Sequence, residues 1–265
     1  MSDPTSRVHV ELRNNGVAWV EMARPAVSNA FDEPMIEALD AAFTALGADP
    51  QVRVVVLAAQ GKHFSAGADL QWMQRASQAS AAENLADARR FADMLARLAQ
   101  LPQPTVARVQ GAALGGGVGL VCACDVAIAS VDARFALSEA RLGILPAVIG
   151  PYLVNAVGLR QAKALALMAQ RIDAQRALAL GLVQQVVDAD QLDAAVDTAV
   201  ADLLQGSPQA QSTIKAFFGQ LAVAPVGAQV RELSAQTISQ ARSTEDAREG
   251  FAAFLGKRPP RWTPS

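Results

Sequence analysis

Two glycine-rich loops, each following an apolar, β-branched run and each opening onto a helix-like stretch, constrain the fold of this chain more than any other feature. The first reads Phe64-Ser65-Ala66-Gly67-Ala68-Asp69-Leu70, after Val52-Arg53-Val54-Val55-Val56-Leu57. The second reads Gly111-Ala112-Ala113-Leu114-Gly115-Gly116-Gly117-Val118-Gly119, after Thr105-Val106-Ala107-Arg108-Val109. Repeated strand, turn and helix units predict a mostly parallel sheet covered by helices, an α/β fold. Glycines at such turns let backbone approach a ligand closely and leave N–H groups free at a helix start, where the dipole favours developing negative charge. Two such loops can give one N–H each to a single oxyanion. A lone triple glycine would signal only a turn. The second loop lacks the Lys and Ser/Thr of a P-loop, and its glycine spacing does not fit a dinucleotide fingerprint, so ATP and NAD are not expected ligands.

The rest of the first half follows the same alternation. Val8–Leu12 and Gly16–Met22, separated by Arg13-Asn14-Asn15-Gly16, predict a hairpin. Asp32-Glu33-Pro34 caps a helix through Phe43, and further helices are expected near 83–99 and from about 115, with strands at 52–59, 105–109 and 126–129. From Gly158 onward helical patterns dominate, at 160–169, 174–180, 190–204, 208–220, 226–241 and 244–255, interrupted only by the β-prone run 182–187. No flexible linker marks a boundary, so an α/β core over 1–200 with an appended helical region over 201–265 is expected, its apolar stripes suited to a subunit interface.

Composition narrows the chemistry. At 51% hydrophobic over 265 residues the chain can bury a sizeable core. A formal net charge of −2 with no run of like charges makes nucleic acid an unexpected partner. The opening Met1-Ser2-Asp3-Pro4-Thr5-Ser6-Arg7 has no signal-peptide core, and no apolar stretch approaches the roughly 20 residues of a membrane helix, so a soluble, cytoplasmic protein without membrane association is expected. Cys122 and Cys124 are too close for an unstrained disulfide and too few for zinc; they read as small buried hydrophobes. With only His9 and His63, no histidine metal cluster or triad is expected, and His63 reads as a solvated loop residue.

Arg24-Pro25-Ala26-Val27-Ser28-Asn29-Ala30, the two glycine loops, Phe135-Ala136-Leu137-Ser138-Glu139 and Leu142-Gly143-Ile144-Leu145-Pro146 occur in the order and spacing that resemble the crotonase superfamily of enoyl-CoA hydratases and isomerases. The resemblance runs from about residue 8 to Arg258. It implies a spiral of ββα units with a C-terminal helical trimerisation region, a homotrimer or a hexamer made of two trimers, and an acyl-CoA thioester substrate, with CoA entering only as part of that substrate and no separate cofactor. It also implies an enolate-like intermediate held by the N–H groups of Ala68 and Gly116. Fixed amides aimed at such an oxyanion need no reorganisation. By the same matching Ala26, Val27, Ser65, Ala66 and Asp69 lie where CoA is wrapped, chiefly by backbone, and Lys257 lies in the region from which a neighbouring subunit can reach CoA.

Hydration needs a base for water and an acid for Cα, which two carboxylates of different pKa supply. The resemblance assigns proton transfer to Glu139, whose neighbours Phe135, Leu137, Leu142 and Ile144 predict an apolar, pKa-raising setting. At the other glutamate position this chain has Gly119, which offers room but no functional group. A one-glutamate hydratase, a Δ3,Δ2-enoyl-CoA isomerase and a non-catalytic acyl-CoA binder remain open. The stretches 64–73 and 142–152 resemble bacterial hydratases of 3-methylglutaconyl-CoA and isohexenylglutaconyl-CoA, which act in leucine and acyclic-terpene breakdown. This favours a hydratase for a branched or glutaconyl-type enoyl-CoA. Pro146-Ala147-Val148-Ile149-Gly150, where ordinary members are glycine-rich, should narrow the acyl pocket. Arg75, Arg108, Arg141 and Tyr152 are candidates for a distal carboxylate, while Trp72 and Met73 read as packing residues.

Overall fold

The computed structural model describes residues 7–13, 15–221 and 227–264. In chain order its strands are β1 (Val8–Leu12), β2 (Val17–Met22), β3 (Val54–Ala59), β4 (Thr105–Val109), β5 (Ala112–Leu114), β6 (Val126–Ser130), β7 (Arg134–Ala136), β8 (Ile172–Asp173) and β9 (Gln185–Val187). The helices are α1 (Glu33–Ala48), α2 (Leu70–Ala76), α3 (Ala81–Ala99), α4 (Gly116–Ala123), α5 (Gly150–Met168), α6 (Ala174–Leu180), α7 (Leu192–Leu204), α8 (Pro208–Phe218), α9 (Ala228–Arg242) and α10 (Glu245–Leu255).

The expected hairpin forms, β1 antiparallel to β2, although its turn residue Asn14 lies outside the described residues. The remaining strands of a six-stranded sheet, ordered β1-β2-β3-β4-β6-β9, join in parallel. β3 is buried along its whole length because both of its faces are covered. Val55, Leu57 and Ala59 pack into the larger core with α1 and α3, while Val54 and Val56 meet Leu192, Val196, Val200 and Leu204 of α7. A strand with no solvated face carries no polar alternation, which is why its sequence reads as a continuous apolar run.

The second, three-stranded sheet, β5-β7-β8, builds the site. It extends through two isolated parallel bridges, Ser65 with Ala113 and Phe31 with Ala68. The first glycine loop is therefore stitched alongside the second. Neither β5 nor β7 stands out in the sequence, because each is only three residues long.

α5 consists of two helical stretches that meet at a kink at Gly158: the one beyond the kink is the helix expected at 160–169, and the one before it, from Gly150, lies outside that expectation. Pro151 in its first turn is compatible with a helix start, and Gly158, at φ 75° and ψ 155°, interrupts the periodic pattern. Residue 226, the expected start of the next-to-last helix, lies outside the described residues. The C-terminal helices are tied to the body by Lys215 Nζ, which reaches Asp125 Oδ2 at 2.6 Å and the Gln103 carbonyl at 2.9 Å. Arg53 donates to the carbonyls of Gly206 and Trp262 at 3.0 and 2.9 Å. These helices nonetheless leave Ile214, Phe218, Ile238, Phe251, Phe254 and Leu255 exposed. Among the described residues no helix is long and apolar enough to cross a membrane, and no His, Cys, Asp and Glu cluster could hold a metal ion.

Candidate active site

The first loop owes its shape to a buried relay that begins at Asn29. Ser28 and Asn29 both sit in left-handed backbone at φ 53°, a conformation Asn tolerates better than most side chains. Asn29 Oδ1 accepts the Arg24 N–H at 2.8 Å, and its Nδ2 donates to the carbonyls of Gln60 and His63, both at 2.8 Å. The Asn29 carbonyl accepts the Ser65 hydroxyl at 2.9 Å, and the Ser65 oxygen in turn accepts the Gly67 N–H at 3.1 Å. His63 is no free loop histidine: its Nδ1 accepts the Ala112 N–H at 3.1 Å and so joins the two loops. Replacing Asn29 with Ala strands two part-buried carbonyls and an N–H and leaves a left-handed alanine. We expect about 3 kcal/mol of lost stability, read by urea unfolding. An unchanged midpoint would show that the relay does not hold the loop.

The bridge between Phe31 and Ala68 steps over one donor. Phe31 N–H donates to the Gly67 carbonyl at 2.8 Å and Asp69 N–H to the Phe31 carbonyl at 2.7 Å, so the Ala68 N–H has no backbone acceptor among the described residues. Gly116 is the first residue of α4, and an N–H in a first helical turn has no partner within the helix. The two loops lie back to back. Gly67 has φ +85°, and a methyl group there would come within 2.8 Å of the Leu114 carbonyl oxygen and 3.7 Å of the Gly115 Cα. Gly115, at φ 49° and ψ −116°, turns the chain into α4 while its own N–H donates to the Ala136 carbonyl at 2.9 Å.

Ala68, Gly116 and Glu139 all line one cleft of about 440 Å³. Glu139 opens the short 3-10 turn Glu139–Leu142 at the end of β7. A methyl group on Gly115 would lie 3.2 Å from Glu139 Oε1, which puts the carboxylate over the glycine preceding the Gly116 donor. Glu139 Oε2 is buried and has no hydrogen-bond partner among the described residues. Burial pushes this carboxyl above the usual carboxylate range, as its apolar sequence neighbours predict. Two unpaired N–H groups and one ionisable, weakly solvated carboxyl can together polarise a carbonyl and carry a proton.

Gly119 departs from its sequence expectation: it leaves no room at all. A methyl group there would lie 2.3 Å from Ile149 Cγ2 and 2.9 Å from its Cβ, so the space is already filled. Ile149 and Val148 line the cleft, as do Trp72 and Met73; Trp72 also packs against the larger core, as its helical pattern predicts. Trp72 Nε1 donates to Asp87 Oδ2 at 3.3 Å, and Asp87, also bonded to Arg90, lines the same cleft. None of the candidates for a distal carboxylate lines it. Arg75 pairs with Glu33 and Arg108 with Asp193, Arg141 is exposed, and burial pushes the Tyr152 phenol up. Cys122 and Cys124 are only partly buried, packed against the larger core, and burial pushes their thiols up to about 12.

Ala66 lines the cleft, and its N–H donates to the Ser28 carbonyl at 2.8 Å, beside the exposed turn that carries Ala26 and Val27. Ser65 is wholly buried, and Asp69 is occupied as the N-cap of α2 and as a partner of Arg24 at 3.3 Å. Lys257 follows α10, exposed at φ 50°, and does not line this chain's cleft.

The family described as Enoyl-CoA hydratase/isomerase matches residues 12–265. Mouse mitochondrial methylglutaconyl-CoA hydratase is 34% identical over 263 residues, covering 96% of this chain and 82% of that one. A trans-2-decenoyl-[acyl-carrier-protein] isomerase of Streptococcus mutans is 31% identical over 94% of this chain and 95% of its own. The crystal structure of an enoyl-CoA hydratase from Shewanella pealeana superposes with a TM-score of 0.93 at 39% identity, covering 97% of this chain and 96% of that one.

Proposed function

From the premise that the chain belongs to the enoyl-CoA hydratase/isomerase family, with its crotonase fold, we propose that it adds water across the Cα=Cβ bond of a branched enoyl-CoA. The observation that carries this reading is the meeting, in one cleft, of the Ala68 and Gly116 N–H groups, unpaired among the described residues, with the half-buried carboxyl of Glu139, whose Oε2 has no hydrogen-bond partner among them.

Glu139 takes a proton from water as the water oxygen bonds to Cβ. The double-bond electrons move onto the thioester oxygen, where the two N–H donors hold the developing charge. Protonated Glu139 then returns its proton to Cα, and the electrons collapse to restore the carbonyl. The net change is one added water, and CoA takes part only as a portion of the substrate.

The same carboxyl can instead move a proton between two carbons. The filled space at Gly119 favours this second reading, because it leaves Glu139 without a companion at that position. Turnover in ¹⁸O-labelled water separates the two. Labelled 3-hydroxyacyl-CoA supports the hydratase, unlabelled migration of a 3-enoyl double bond supports the isomerase, and no turnover leaves a non-catalytic acyl-CoA binder.

Among the described residues no Lys, Arg or His lines the cleft, whereas Asp87 and Glu139 do. A glutaconyl group would bring a further negative charge to that wall, so a neutral branched acyl group fits better. The prediction is that 3-methylcrotonyl-CoA is turned over with a higher kcat/KM than 3-methylglutaconyl-CoA. The reverse order would assign a cation to the cleft from another subunit. The exposed apolar residues of α8–α10 suit assembly through the 201–265 region into a homotrimer or a dimer of trimers, with Lys257 reaching a neighbour's CoA. Sedimentation of the purified chain tests this.

A further inference from the structure

We propose that Ile149 and Gly119 act as one steric unit that limits the bulk of the acyl group, an inference that rests on the acyl-CoA reading of the cleft. Ile149 is the residue just before α5, only 3% exposed, and its side chain lies against the bare backbone of α4 at Gly119. Behind that contact stands Leu95 of α3, whose Cδ1 would be 3.7 Å from a methyl group at 119. Ile149 is also a wall of the cleft that holds Glu139 and the two donors. Its position is thus set from behind by an absent side chain. A β-branched residue has few rotamers with which to yield. Any atom added at 119 drives Ile149 towards the cleft, and any atom removed from Ile149 opens the cleft onto α4.

Opposite outcomes follow for the two positions. Ile149→Ala deepens the cleft, so the ratio of kcat/KM for trans-2-decenoyl-CoA to that for crotonyl-CoA rises about 10-fold. Gly119→Ala pushes Ile149 inward, so the same ratio falls by a similar factor while the melting temperature drops by about 5 °C. In the double variant Gly119→Ala/Ile149→Ala the added methyl group occupies vacated space. The melting temperature then lies closer to wild type than the sum of the single effects, and the ratio stays above wild type, because no Ile149 side chain remains for the methyl group to displace, whereas additive effects would cancel to about the wild-type ratio.

The experiment measures this four-protein cycle in three ways: turnover, calorimetric binding of decanoyl-CoA against butyryl-CoA, and thermal unfolding without ligand. Binding reports the cleft even where no chemistry occurs, so a protein that binds but does not turn over loses the hydratase reading and keeps this one. Unfolding reports the contact even where nothing binds. An unchanged chain-length ratio in Ile149→Ala overturns the proposal. So do additive effects in the double variant, whether in binding or in melting temperature. Should Gly119→Ala fail to fold, Ile149→Val and Ile149→Ala must still give a graded rise in the decanoyl-to-butyryl binding ratio.

Discussion

Glu139→Gln lowers kcat for the preferred enoyl-CoA by about 10² to 10⁴-fold and leaves acyl-CoA binding nearly intact, the loss typical of removing a positioned acid–base group. Glutamine keeps the size and polarity of the side chain and removes only its titration. The same substitution raises the melting temperature near neutral pH. Burial has pushed the Glu139 carboxyl up, and Oε2 has no hydrogen-bond partner among the described residues, so ionising it in the folded chain is unfavourable. The folded protein holds this proton more tightly than the unfolded chain does. Stability is therefore lost as pH rises from the unfolded value of about 4.3 through the raised folded value, and the penalty stays constant above it. Below the unfolded value both forms are protonated and the advantage of Gln disappears. The acid limb of wild-type kcat/KM should lie above the ordinary carboxylate range for the same reason. A variant that is inactive and less stable at neutral pH would make Glu139 a structural residue, and a fully active one would remove it from the chemistry.

Gly67→Ala costs about 10² to 10³-fold in kcat, the usual consequence of losing one oxyanion donor, although Gly67 itself contributes no donor to the cleft. Its φ of +85° is strained for alanine, and the new methyl group would lie 2.8 Å from the Leu114 carbonyl oxygen. That carbonyl cannot easily retreat, because the Gly115 N–H of the same peptide unit is held by the Ala136 carbonyl at 2.9 Å. The first loop must move instead, carrying the Ala68 N–H off its line. Ala68→Gly is the control: it keeps the main-chain donor and should retain kcat within several-fold. Comparable losses in both variants would point to general loop damage, and normal turnover in Gly67→Ala would remove the loop from catalysis.

Much of this was legible in the chain because its strongest signals are backbone signals. Runs such as 52–57 and 105–109 predict buried parallel strands, and the glycines after them mark where main chain must come close to main chain. Glu139 is also visible, since its apolar neighbours anticipate the raised carboxyl. What escaped were facts of orientation and contact between distant segments. Helical spacing cannot say that Trp72 and Met73 look into a cleft, nor that His63 accepts a hydrogen bond from Ala112. The first stretch of α5 was hidden because Pro151 opens a helix here where in another context it ends one, and because Gly158 breaks this stretch off from the periodic pattern beyond it. Gly119 read as empty space for a related reason: its occupant, Ile149, belongs to another element.

That occupancy bears on how the chain can change over generations. A glutamate arriving at 119 would collide with Ile149, and a glycine arriving at 149 would leave a hole with nothing to fill it. A carboxyl at 119 therefore requires Ile149 to be cut back as well, so a second acid–base group at that position needs two changes rather than one. With Glu139 in the acid–base role proposed above, the pair works as a ratchet, and lineages that carry it should keep one-carboxylate chemistry long after their substrates have diverged.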